Sequence, residues 1–315
     1  MSDGPVSDGP PSDGPVSETR SGFVSVVGRP NVGKSTLVNR LVGQKVAIVS
    51  DKPQTTRNRI LAVVHRPEGQ IVLFDTPGIH KPMHRMNERM VDAAVKSVGQ
   101  VDVVLWLADM TEAFGPGDRH VRDVLRQSGK PVILGLNKID AVPKPKILPM
   151  IEQYRHLMDF VDVIPLSALK GDNVELVERT LLAHLPAGQR MYPEDYLTDQ
   201  PERFFVAEMV REQVLRLTRE EIPYTTGVLV DSFKEDGALV RIEATILVER
   251  ESQKGILIGR GGAMMKAIGT DARKQIEEFL GTKVYLGLFV KVKERWREDA
   301  RVLEEMGLGE RRGEG

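Results

Sequence analysis

The sequence predicts two domains in series: an α/β domain on a mostly parallel sheet with helices on both faces, then a smaller α+β domain. Three observations carry this. From Phe23 to about residue 185, apolar β-branched runs alternate with helical patterns. The first run, Phe23–Val27, feeds into Gly28-Arg29-Pro30-Asn31-Val32-Gly33-Lys34-Ser35, which reads GxxxxGKS and is followed by an apolar helical pattern from Thr36. Beyond a proline-bearing stretch the order becomes α-β-β-α-α-β, with Gly259-Arg260-Gly261-Gly262 at its centre.

Composition bounds the answer. The chain has 315 residues, with 28% charged and 41% hydrophobic, which fits a folded soluble protein with room for two cores. No apolar run approaches the ~20 residues a spanning helix needs. There is no cysteine, so disulfides and cysteine-ligated zinc are excluded, and a reducing compartment is expected. The formal net charge of −1 excludes a globally basic nucleic-acid binder but not a locally basic face.

Residues 1–22 repeat Ser-Asp-Gly-Pro three times and lack large apolar side chains, so they read as a flexible acidic tail, not a signal peptide. Strands are expected at 23–27, 60–65, 70–75, 101–108, 131–136 and 161–166, and helices at 34–42, 87–98, 118–127, 145–157 and 173–184. In such a sheet ligands sit at the carboxyl ends of the strands, so chemistry should follow each strand. Four strings do.

In the first, the glycines let successive N–H groups converge on phosphate oxygens at a helix N-terminus. Lys34 would reach the β- and γ-phosphates, and the Ser35 hydroxyl would be a Mg²⁺ ligand. The second, Asp75-Thr76-Pro77-Gly78, ends a buried strand on a carboxylate. That placement is costly unless a cation receives it, so Asp75 is assigned to Mg²⁺, and the Gly78 N–H to a γ-phosphate. The third is Asn137-Lys138-Ile139-Asp140, where Asp140 would accept from guanine N1–H and its 2-amino group; adenine lacks both donors. The fourth, Ser167-Ala168-Leu169, offers backbone N–H to guanine O6. Singly each string also suits an ordinary turn; in this order, each behind a strand, they specify a guanine nucleotide site.

Between the first two strings lies Lys52-Pro53-Gln54-Thr55-Thr56-Arg57. A guanine-nucleotide switch needs a threonine here to complete the Mg²⁺ shell. Gln54-Thr55-Thr56-Arg57 resembles the G2 segment of a GTPase family, and on that resemblance Thr56 is the choice and Thr55 the alternative. After Gly78 stands Ile79, where the Ras pattern has a water-orienting glutamine. Isoleucine cannot polarise water, so intrinsic hydrolysis should be slow, at or below ~10⁻⁴–10⁻³ s⁻¹. His80 and His84 are separated by Pro82 and read as part of a switch loop, not a metal site.

Residues 186–202 read as a linker. Then come a helix at 203–219, strands at 224–232 and 239–248, a glycine-rich loop, a helix at 263–280 and a strand at 283–292. The GxxG loop at 259–262 lies between two helices, where bare glycines let phosphates approach. From Lys254 to Arg297 ten Lys/Arg face four acids, a local +6 in a chain of net −1. Lys254, Gly259, Arg260, Gly261, Gly262, Lys266, Lys291 and Lys293 are the expected RNA-binding residues.

The four strings resemble the nucleotide elements of translation-factor-type GTPases, and Asn31 resembles the P-loop asparagine that holds a monovalent cation in related bacterial GTPases. Gln54-Thr55-Thr56-Arg57, Glu221-Ile222-Pro223-Tyr224 and Val290-Lys291-Val292-Lys293 extend the resemblance to the Era family over residues 23–300. The resemblance implies a GTPase domain at 23–185, the linker, a type II KH domain at 203–300 and a flexible C-terminal tail at 301–315. In this reading Gly28 to Thr36, Asp75 to Gly78, Asn137, Lys138, Asp140 and Ser167 to Leu169 bind nucleotide. Lys34, Asn31, Thr56 and Gly78 act in hydrolysis. The implied cofactors are Mg²⁺ and K⁺. The implied partners are GTP/GDP, the 3′ end of 16S rRNA and the 30S subunit, with no DNA and a monomeric chain. The family also implies a cytoplasmic protein with peripheral contact at the inner membrane face, of which this composition shows nothing. Two rivals are a GTP-sensing RNA scaffold without catalysis, and a tRNA-modifying GTPase, which would carry a C-terminal cysteine.

Overall fold

The computed structural model describes residues 19–309. The first domain runs β1 (Arg20–Val27), α1 (Lys34–Val42), β2 (Ile60–Arg66), β3 (Gly69–Asp75), α2 (Arg85–Gly99), β4 (Val103–Asp109), α3 (Pro116–Ser128), β5 (Val132–Asn137), α4 (Lys144–Arg155), β6 (Asp162–Pro165) and α5 (Val174–His184). Its sheet has the order β2-β3-β1-β4-β5-β6, parallel except for β2. Alternation along the strands separates two apolar faces. Val24, Val26, Leu73 and Leu105 pack under α1 and α5, while Val27, Val72, Val104 and Trp106 pack under α2, α3 and α4.

β1 lies between β3 and β4, with Val26 beside Asp75 and Val27 beside Trp106. Its neighbours leave in opposite directions across the sheet, which opens a crevice at the carboxyl end of β1. Asp109 and Asn137 end β4 and β5 in register at the same edge.

The second domain contains α6 (Glu202–Leu217), α7 (Ile222–Thr225), β7 (Gly227–Asp236), β8 (Leu239–Val248), α8 (Glu251–Ile258), α9 (Ala263–Leu280), β9 (Lys283–Val292) and α10 (Ala300–Glu305). β8 is central, antiparallel to β7 and parallel to β9. Val240, Ile242, Ala244 and Ile246 of β8 pack with Leu257, Ile268, Ala272 and Ile276 of α8 and α9, so the helices cover one face.

Four stretches differ from expectation. Residues 20–22 are strand, not tail, because Arg20–Gly22 pair in register with Gly69–Ile71; residues 1–18 lie outside the described residues. The stretch 186–202 is lashed to the edge of the first sheet. Val63 N–H donates to Leu197 O at 2.9 Å, and the Gln70 amide bonds the backbone of Met191 and Tyr192. This covers the unpaired edge of β2. The expected C-terminal tail is packed as far as residue 309. Asp299 caps α10 by accepting from Arg301 N–H at 2.9 Å, and Val302, Leu303 and Leu308 are buried. They join Met86 and Met90 of α2, Leu247 and Trp296 in a cluster that ties the two domains. The six-residue helix is flanked by charge, which hid its apolar face from the sequence. The first strand of the second domain starts at Gly227 because Ile222–Thr225, with Pro223 in its first turn, is helical. Among the described residues, no helix is long and apolar enough to cross a membrane.

Candidate nucleotide site and glycine loop

The loop after β1 turns into α1 through Gly33, whose φ of 97° is left-handed. A Cβ there would lie 2.3 Å from Asn137 Nδ2, so the position requires glycine twice over. Lys34, first residue of α1, is 6% exposed. Its ammonium donates to Arg29 O at 2.9 Å and Gly28 O at 3.3 Å. Burial lowers its pKa to about 8, against the opposing pull of the Asp75 carboxylate.

At the next position, Ser35 Oγ donates to Asp75 Oδ2 at 2.7 Å and lies 2.7 Å from Thr56 Oγ1. Thr56 Oγ1 is 3.5 Å from the same carboxylate oxygen. The three oxygens assigned to Mg²⁺ thus converge from α1, β3 and the 45–59 loop. Asp75 is fully buried, and among the described residues its Oδ1 has no hydrogen-bond partner. Desolvation raises its pKa to about 6, with the Ser35 hydrogen bond opposing. A buried carboxylate with one orphaned oxygen, beside two hydroxyls, is a hard-oxygen donor set of the kind Mg²⁺ takes. Thr55 is turned away: its hydroxyl donates to Lys52 O at 2.6 Å.

At the far end of the crevice Asn137 acts as a strut. Its Nδ2 donates to Val32 O at 2.7 Å, and its Oδ1 accepts from Ala168 N–H at 2.9 Å. The Ala168 N–H is therefore used within the protein. Ser167 Oγ accepts from Lys170 N–H at 2.9 Å and shapes that loop. Lys138 takes a left-handed φ of 70° and bonds Asp109 Oδ2 at 2.5 Å. Asp140 follows in a single 3₁₀ turn and is exposed. Together these elements line a cavity of about 550 Å³ between Pro30–Thr36, Ile48–Thr56, Gly78, Asn137–Ala141 and Ala168–Leu169. That volume suits a nucleotide.

Not every expected residue turns its side chain inward. Arg29 points to α3 and the loop before it, where it pairs with Asp118 at 2.8 Å and Glu112 at 3.0 Å. Val32 is in the core, Pro77 is buried, and Thr76 Oγ1 donates to Val26 O at 2.8 Å. These four can serve the site only through backbone. Ile79 is buried among Val27, Phe74 and Trp106, and its N–H donates to Gly28 O at 3.1 Å. Asn31, at φ 64°, lines the cavity and donates to Asp51 O at 2.6 Å. His84 caps α2, its Nδ1 accepting from Asn87 N–H at 3.3 Å. Sequence reasoning missed Asp109, although the strand-end argument that found Asp75 applies to it equally. It also missed Glu112, for which no motif exists, and it assigned no role to Gln54, which lines the cavity.

In the second domain Gly261 and Gly262 are left-handed at φ 57° and 80°, and a Cβ on either would meet open space. Glycine is needed there for the turn, and the exposed backbone can be approached closely. Arg260 and Lys266 are exposed beside the loop, with Lys254 half-buried on α8. Lys291 is not brought together with them. Along β9 the even positions pack toward the helices, while Tyr285, Phe289 and Lys291 face outward from the other side of the sheet. Lys293, just past β9, is paired with Asp299 at 2.7 Å. Two exposed apolar residues on α8, Ile256 and Ile258, border the loop and carried no signal in the sequence.

Known proteins share this arrangement. Residues 23–138 match the family profile described as 50S ribosome-binding GTPase, and residues 221–297 match the KH domain. A GTPase Era of Staphylococcus epidermidis is 48% identical over 94% of this chain and 99% of its own length. One from Geobacter metallireducens is 51% identical over 91% and 97%. A crystal structure of Era in complex with MgGDPNP and nucleotides 1506–1542 of 16S ribosomal RNA superposes with a TM-score of 0.90 at 40% identity, covering 93% of this chain and all of that one. A point variant of Aquifex aeolicus Era bound to GDP·AlF₄⁻ gives 0.89 at 40% identity, with the same coverage.

Proposed function

The chain belongs to the Era family of GTPases, and on that premise we propose that it is a GTP-hydrolysing switch whose KH domain binds the 3′ end of 16S rRNA during 30S subunit assembly. The observation that carries the catalytic half is the convergence of Ser35, Thr56 and Asp75 on one point beside Lys34. The RNA half rests on the open glycine loop, its basic neighbours and the likeness to a family member crystallised with that RNA.

The reaction is GTP + H₂O → GDP + phosphate, with water attacking in line on the γ-phosphorus. The protein has little covalent chemistry to perform, so positioning and charge do the work. Lys34 and the amides of the P-loop hold the phosphates, and Gly78 offers its N–H to the γ-phosphate. Asp140 reads the guanine edge while Asn137 braces the P-loop against the 167–169 loop. Ser35, Thr56 and Asp75 would hold Mg²⁺, whose charge, when bound, neutralises the β- and γ-oxygens. Ile79, at the position where a glutamine would orient water in the Ras pattern, is in the core.

For that reason a second cation is proposed. Asn31 lines the cavity next to the Asp51 carbonyl, the neighbourhood in which K⁺ would offset charge on the leaving phosphate. Hydrolysis is expected to be several-fold faster in K⁺ than in Na⁺ buffer, measured as phosphate release with and without RNA. Equal rates in both salts would remove K⁺ from the mechanism.

The RNA assignment is tested by Gly261→Asp. A side chain at φ 57° strains the turn, and its carboxylate repels phosphate. Affinity for a single-stranded 16S 3′-end oligonucleotide should fall by about tenfold or more, as one or two phosphate contacts are lost. GTP affinity should be unchanged. Retained RNA affinity would move the binding surface away from the loop.

A further inference from the structure

The segment that carries Thr56 is held from the second domain. Arg211 of α6 is 2% exposed; its Nη2 donates to the carbonyl of Thr55, and the guanidinium makes a two-pronged pair with Glu208 at 2.7 and 2.5 Å. On the other side of Thr56, Arg57 is 4% exposed and donates to Thr226 O at 2.7 Å and Pro223 O at 3.3 Å. The next residue of α6, Glu212, accepts from Val49 N–H at 3.0 Å and pairs with Lys45 at 2.5 Å. The KH domain thus grips the 45–59 loop at three places, two of them the immediate neighbours of Thr56.

We propose that Arg211 is a positioning residue for GTP hydrolysis: with Arg57 it clamps the backbone around Thr56, so that the hydroxyl faces Ser35 and Asp75. The inference rests on Thr56 being the metal-binding hydroxyl of this loop. Arg211 does not line the cavity, and acts through the Thr55 carbonyl.

The physical argument is one of order. Residues 43–59 form no helix or strand, and such a loop has few bonds of its own to fix one side chain. A misplacement of about 1 Å at a reacting centre costs up to 10²-fold in rate. Bonds from a packed helix supply the missing constraint. The clamp also holds like charges together. Burial first, and the Arg211 guanidinium second, push Arg57 down to about 9, with the Glu208 carboxylate opposing. A clamp of this kind depends on the two domains being docked as they are here.

It also has a reverse side. Gln275 of α9 donates to Glu212 Oε2 at 3.1 Å, and Arg216 pairs with Asp271 at 2.9 Å. α9 starts at the GxxG loop. Glu212, which holds the nucleotide loop through Val49 and Lys45, is therefore also bonded to the helix that carries the RNA loop.

The test uses full-length Arg211→Ala, Arg211→Lys and Thr56→Ala, assayed for kcat, KM, fluorescent-GDP affinity and the Mg²⁺ concentration giving half-maximal hydrolysis. Arg211→Ala should lower kcat about tenfold and raise the half-maximal Mg²⁺ severalfold. GDP affinity should stay within twofold, which also reports that the site is folded. Arg211→Lys, which keeps the charge and one donor, should recover part of kcat. If Thr56→Ala lowers kcat and Arg211→Ala does not, the clamp is wrong and the Thr56 reading stands. If Thr56→Ala leaves kcat unchanged, both fail. A loss of GDP affinity in Arg211→Ala and Arg211→Lys alike, with kcat retained, marks a structural role and overturns the proposal.

Discussion

Lys34→Ala is expected to weaken GTP binding and turnover together by roughly 10²–10³-fold, the scale of losing one preorganised charged donor from a buried site. Lys34 is buried at the start of α1, and its ammonium is already directed at the loop that would cradle the phosphates. Its lowered pKa, about 8, adds a signature that simple loss of stability would not give. Phosphate favours the protonated amine. Below pH 8 the free protein is mostly protonated and binding needs no proton. As pH rises through 8 the free amine turns neutral, binding must take up a proton, and affinity falls toward tenfold per pH unit. Titration calorimetry in buffers of different ionisation enthalpy would detect that uptake between pH 8 and 9. In Lys34→Ala the alkaline fall should vanish along with the affinity. An alkaline fall that persists in the variant would assign it to another group.

What was legible in the sequence follows from what is local. Phe23–Val27 alternates faces of a buried sheet, and Gly33 needs a left-handed turn, so strand, loop and helix could be read from neighbours alone. The same holds for Asp75, a carboxylate at a strand end. The carboxyl-end rule then brought four distant strings to one edge, which the register of β1, β3, β4, β5 and β6 now accounts for. What the sequence could not show was of tertiary origin. Arg29 sits inside the P-loop motif, yet Asp118 of α3 and Glu112 just before that helix, both far along the chain, draw its side chain away. Lys291 and Lys293 looked like part of a basic patch, but strand periodicity puts Lys291 on the sheet face away from the glycine loop, and Lys293 is paired to Asp299. A charge count carries no direction. Arg57 follows Thr56 in the chain, but Arg211 lies 154 residues beyond Arg57, and only the docking of two domains brings it to the Thr55 carbonyl. No spacing rule reaches that far.

Asp140→Asn should change which base the site accepts. Asp140 is exposed at the rim of the cavity in the short turn after β5, and Lys138 is tied to Asp109, which fixes that turn beside the crevice. A carboxylate accepts two donors at once, which matches guanine N1–H and its 2-amino group; an asparagine offers one acceptor and one donor. In the variant one guanine donor meets an N–H instead of an oxygen. A site built to bond a group discriminates against the mismatched partner by about 10⁴-fold or more, so GTP affinity should fall on the order of 10³–10⁴-fold. A xanthine nucleotide carries a carbonyl where guanine has its amino group, and it should gain what GTP loses, because the asparagine N–H can donate to it. The residue lies on the surface and outside both cores, so folding should be unaffected, which circular dichroism melting checks. Competition binding with GTP, xanthosine triphosphate and ATP gives the result directly. A variant that lost GTP without gaining the xanthine nucleotide would mean that Asp140 shapes its turn and does not read the base; unchanged GTP affinity would place base recognition elsewhere on the rim, with Leu169 and Ala141 the nearest candidates.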